Sequence, residues 1–86
     1  MTTQSTIENC EEIADSLHWS HHYSTLAGNC LAHAREIMTE SNALWIAGEY
    51  AIAEQLASAA DSLHSLAERH TATAKEFQAT AQELAK

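Results

Sequence analysis

The strongest constraint on this chain is a heptad seam running from Ala53 to Leu84. Alternate steps of three and four residues read Ala53, Leu56, Ala60, Leu63, Ala67, His70, Ala74, Phe77, Ala81 and Leu84. That step keeps every member on one side of an α-helix. Between them lie mostly polar residues, among them Glu54, Asp61, Glu68, Lys75 and Glu83. A narrow apolar stripe with alanine at every second position needs another helix packed close against it.

The first half of the chain supplies a candidate partner. Cys10, Ile13, Leu17, Ser20, Ser24, Ala27, Leu31, Ala34 and Met38 follow the same step, with small residues in the middle. Facing this seam to the alanine seam predicts an all-α antiparallel two-helix hairpin, with long helices over about 6–39 and 43–84. With no proline, no valine and only two glycines, the chain has little material for strands. Its 86 residues form a single helical-hairpin domain over 1–86. A chain this short buries only about 60% of its unfolded surface. Association into a four-helix bundle, with a second copy or another protein, is the expected supplement.

The boundaries follow from capping chemistry. Ser5 with Glu8 three residues on reads as a capping box ahead of Ile7, with residues 1–4 frayed. Thr39-Glu40-Ser41-Asn42 is the favoured turn, with Ser41 or Asn42 capping the second helix near Ala43. The alternative places the turn around Leu44 to Gly48. Gly28-Asn29 interrupts the first helix in composition but not in phase, which predicts a continuous helix with Gly28 at a close contact.

A second apolar row lies on helix one: Trp19, Tyr23, Leu26, Cys30 and Ile37, with His33 in line. One partner helix cannot cover both rows, and helix two offers no matching second row. A stripe holding Trp and Tyr marks a partner-binding surface. Its expected occupant is a second copy, as a homodimer, or a different target protein.

Six histidines are the other unusual feature. With the turn near residue 41, His18 and His21 would lie level with His64 and Asp61. His18 and His22 share a helical face. These residues are candidates for a metal-binding or pH-responsive bundle. Asp61 and His18 point away from the seams, however, and ligands in bundles point inward. The reading therefore assigns no metal and no cofactor. His70 sits in the seam and is expected buried, bonded to Ser20 or Ser24.

The formal charge of −8, with only four scattered Lys and Arg, argues against direct nucleic-acid binding and against an anionic membrane. No segment is long and apolar enough to span a bilayer, and the N-terminus reads as no signal peptide, so the expectation is cytoplasmic. On one continuous helix Cys10 and Cys30 would stand ~30 Å apart, so they are expected as buried, reduced thiols. No nucleophile stands at a recognisable spacing from a base, and no glycine-rich phosphate loop is present. The chain reads as no enzyme.

Trp45-Ile46-Ala47-Gly48, near the middle of a hairpin of this length, resembles the secreted WxG helical-hairpin family. The Trp–Gly spacing here is one residue longer than that motif, and no tail of that family's type follows Leu84. The small-residue seams resemble the Rop type of dimeric four-helix bundle, without its polar or basic RNA-binding face. Together these readings point to a small acidic adaptor or inhibitor that occludes a partner protein. Its analogues include phage-encoded inhibitors of a host nucleic-acid enzyme.

Overall fold

A computed structural model describes the backbone from Thr2 and side chains from Ile7 to Lys86. Two α-helices make up the hairpin: α1 over Thr2–Ile46 and α2 over Tyr50–Leu84. Ala47, Gly48 and Glu49 connect them. The pair is a straight rod of 70 × 13 × 13 Å. No strand occurs among the described residues, and none of their helices is long and apolar enough to cross a membrane.

The alanine seam of α2 is as expected. Ala53, Ala60, Ala67, Ala74 and Ala81 are all buried, at 4% exposure or less. The larger members Leu56, Leu63, His70, Phe77 and Leu84 are half-buried. Alanine has no side chain beyond Cβ, so the helix axes approach closely at each of these positions.

The turn lies later than the favoured reading placed it, at the position of the alternative. Gly48 adopts φ +86°, in the left-handed region that glycine enters without steric cost. Its N–H donates to the Trp45 carbonyl at 3.1 Å, and the Glu49 N–H donates to the Leu44 carbonyl at 2.8 Å. This pair of bonds is a Schellman motif, which satisfies carbonyls otherwise orphaned at the end of α1. The Trp45 and Tyr50 rings meet edge to face across the turn, with centroids 4.7 Å apart. The Glu49 side chain makes no capping bond at the start of α2.

Thr39-Glu40-Ser41-Asn42 is therefore helix interior, not a turn, and the expected bounds 6–39 and 43–84 are corrected. The Thr39 hydroxyl donates back to the Arg35 carbonyl at 3.0 Å, as hydroxyls do within helices. Ser41 does not cap α2. It is buried in the seam, and its hydroxyl donates across the pair to the Ala53 carbonyl at 2.7 Å. A polar cluster resembling a turn thus holds one residue whose hydroxyl is satisfied between helices. The first helix also begins earlier than expected, at Thr2. The capping role expected of Ser5 falls on a side chain outside those described.

The inner row of α1 is Ile13, Ser16, Ser20, Tyr23, Ala27, Cys30, Ala34, Ile37, Ser41 and Leu44. Ser16, Ala27, Ala34 and Ser41 are buried, and the other six are half-buried. This corrects the first seam. Ile13, Ser20, Ala27 and Ala34 belong to it, but Cys10, Leu17, Ser24 and Leu31 are exposed. Met38 is half-buried at the flank. From Ala27, Cys30 and Leu31 lie about 60° to one side and about 40° to the other. Both continue a three–four step, so periodicity alone does not choose between them. The place and geometry of the turn set the rotation of α1 against α2, and that selects the Cys30 row.

Gly28 lies within continuous helix, as expected, but not at a close contact. It is exposed, and a Cβ built there meets nothing within 4 Å.

Candidate interaction surface

Two contact layers run along the hairpin, one on each side of its midline. Ser41 opposite Ala53 anchors the first. Counting outward from that pair, Ala34 lies level with Ala60, Ala27 with Ala67 and Ser20 with Ala74. The second layer pairs the Tyr23 row of α1 with the Leu63 row of α2. Tyr23 stacks almost parallel on Phe77, with centroids 5.9 Å apart, and also meets His70 at 5.6 Å. His70 is accordingly half-buried against rings, and no hydroxyl bond from Ser20 or Ser24 to it is observed.

The small-residue layer is closed from Ala27 to Ser41 on α1 and from Ala53 to Ala74 on α2, and half-open only at Ser20. The large-residue layer is not closed: no large side chain of the described chain is fully buried. Tyr23, Cys30, Ile37 and Leu44 from α1 remain partly open along one face, as do Leu56, Leu63, Phe77 and Leu84 from α2. At the edges of this face stand Trp19 at 44% exposure, Ile52 at 49%, and half-buried Leu26 and Leu66.

The residues expected to bind a partner sit as follows. Tyr23, Cys30 and Ile37 are seam members that contact α2 and still face outward in part. Leu26 and Trp19 flank them, and His33 is exposed at the same edge. The sequence places them in a row that α2 does not reach, whereas in the structure half of them form its packing surface. Contrary to the expectation that helix two offers no second row, α2 also contributes to this face. Its sequence signal is the seven-residue repeat Ile52, Ala59, Leu66, Thr73, Thr80, a plain second row beside the alanine seam.

From Ser16 to Ile37 on α1 and from Ile52 to Leu84 on α2, no Asp, Glu, Lys or Arg interrupts this face. Glu12 and Glu40 close its α1 edge at either end, and Asp15, Glu36, Arg69 and Glu76 stand one position farther out. An uncharged centre inside a charged rim is the anatomy of a protein–protein contact.

The opposite side is different. There α1 presents Leu17, Leu31, Met38 and Trp45, but α2 presents Ala57, His64 and Thr71 with Glu54, Glu68 and Lys75 beside them. Two open grooves occur on this side. One, about 250 Å³, lies between Met38, Trp45 and Glu54. The other, about 280 Å³, lies between Leu31, Glu68 and Lys75.

The later turn dismantles the expected histidine cluster. His64 lies level with Cys30, and Asp61 with His33. His18 and His21 are therefore displaced by roughly 18 Å along the rod from His64 and Asp61 respectively, at ~1.5 Å per residue. Among the described residues no group of three or more His, Cys, Asp or Glu is placed to hold a metal ion. His18 and His22 instead meet the Trp19 ring edge-on at 5.4 and 5.5 Å, and His22 meets Tyr23 at 5.4 Å. Both cysteines are free thiols, but the expectation of burial is corrected: Cys10 is exposed and Cys30 half-buried.

Comparison with known proteins supplies no relative: no protein-family model, curated protein or solved structure matches the chain.

Proposed function

We propose that this protein acts without catalysis, as an interaction module that lays the open face of its hairpin against another protein chain. The supporting observation is the inversion of its packing: the small residues are buried, while Tyr23, Leu26, Leu63 and Leu66 remain partly in water. Such a module works as an adaptor or inhibitor, by bridging or occluding the surface it covers. The acidic residues lie off the face, so they govern solubility and choice of partner more than affinity.

The test is site-specific photo-crosslinking in the cells that produce the protein. A benzophenone side chain replacing Leu66 should give covalent protein adducts on irradiation. The same group replacing Glu36, outside the face, should give far fewer. Adducts from neither position would overturn the reading.

A second reading is favoured by one observation. Trp45 ends α1 beside the turn and Gly48 lies within it, as a hairpin similar to the secreted WxG family would have them. On that reading the chain is an exported hairpin, and its accumulation in the medium of its host is the discriminating measurement.

A further inference from the structure

The interaction reading leaves the occupant of the open face undefined, and the dimensions and charge of that face select one. The face runs for ~50 Å, the length of α2 at about 1.5 Å per residue, and draws on both helices. Its large residues recur with the three–four step along its whole length. A surface of that shape fits another pair of parallel-running helices of equal length and equal period. Over ~50 Å of a rod 13 Å wide, that face projects an area of about 650 Å². A specific protein contact buries roughly 600–1,000 Å² from each partner.

Charge points the same way. Two chains of formal charge −8 repel, and the repulsion is least where they meet on surfaces that carry no charge. The face is that place, since no Asp, Glu, Lys or Arg lies within it from Ser16 to Ile37 or from Ile52 to Leu84. Burying it against a copy of itself desolvates no ionised carboxylate and leaves the acidic rims in water. On the opposite side Glu54, Glu68 and Lys75 line the two grooves themselves, so covering that side would bury charge.

Building on the interaction reading, we propose that the face centred on Tyr23, Leu63 and Phe77, with Leu26 and Leu66 at its edges, is covered by a second copy of this chain. The result is a four-helix bundle. Two-fold symmetry makes the contact isologous, so each residue of the face meets the same face of its partner. The half-buried large side chains then become the bundle core, and the alanine layers hold each hairpin together from within.

The experiment is absolute mass by light scattering on the full-length chain over a concentration series. The chain should weigh twice its 9.4 kDa at micromolar concentration and above. The double variant Leu26→Glu/Leu66→Glu should shift to monomer by at least 100-fold in dissociation constant and remain helical by circular dichroism. Leu31→Glu, on the opposite side, should stay dimeric. If the double variant fails to fold, purified chain with benzophenone at Leu66 keeps the test open, because irradiation should join two differently tagged copies. A monomer at all concentrations, with no joining of tagged copies, would overturn the proposal. So would a dimer broken by Leu31→Glu but not by the face variants. Cellular adducts from Leu66 heavier than one chain but containing a different protein would then keep the interaction reading while rejecting the second copy.

Discussion

The two layers of the hairpin differ in what they use for contact. On one side Ala34 and Ala60 meet with no exposed surface at all, and Ser41 joins Ala53 through a buried hydroxyl. On the other side, bulkier residues touch but do not enclose one another, and Tyr23 and Phe77 stack with their outer parts in water. Small side chains bring two helices together but release little apolar area from water. Large side chains could release much more, at ~25 cal/mol per Å² buried, but here they are only half covered. The first layer determines geometry, and the second holds stabilisation that the lone hairpin leaves unused. An isolated two-helix rod is therefore specified better than it is stabilised.

The largest effect should come from breaking the closed layer. Ala60→Leu forces an isobutyl group between helices where no space exists. It should cost at least ~1–3 kcal/mol and abolish a cooperative thermal transition, read by circular dichroism. Retention of the wild-type midpoint would mean that the alanine layer is not tightly closed. Gly48→Ala attacks the hinge that sets both layers. Forcing a Cβ into φ +86° should cost ~1–2 kcal/mol in urea unfolding while leaving the turn in place.

The open layer should respond differently. Leu63→Ala removes a half-buried side chain, so it should cost the hairpin ~1 kcal/mol at low concentration, below the 2–5 typical of a fully buried leucine. Its cost should grow with protein concentration if the face is covered in an assembly. A concentration-independent loss would place Leu63 wholly within the single hairpin. Gly28→Ala lies in neither layer. With open space around its Cβ, it should stabilise α1 by ~0.5–1 kcal/mol, read as a raised thermal midpoint.

Some of this organisation is legible without coordinates. Every position of the Ala53–Leu84 seam is on the packed side of α2, because alanine recurs at every seventh position from Ala53 to Ala81 and only that row lets a neighbour approach closely along the whole helix. The all-helical character is equally plain in a chain with no proline, no valine and two glycines. The inner face of α1 is less so. Tyr23 and Ser24, Cys30 and Leu31, Ile37 and Met38 are adjacent pairs, each able to continue the step from Ala27 or Ala34. Local periodicity carries no term that ranks them. The histidine cluster failed for a related reason: a shift of the turn by six residues moves opposed positions by about twelve, or roughly 18 Å along the rod.

What the sequence determined alone is the local chemistry: a helical chain with one alanine stripe and a glycine able to adopt positive φ at Gly48. Register, the rotation of α1 and the identity of the open face were decided by the tertiary structure. They depend on where two helices separated by many residues come level, and a single left-handed residue at Gly48 sets that for the whole 70 Å rod.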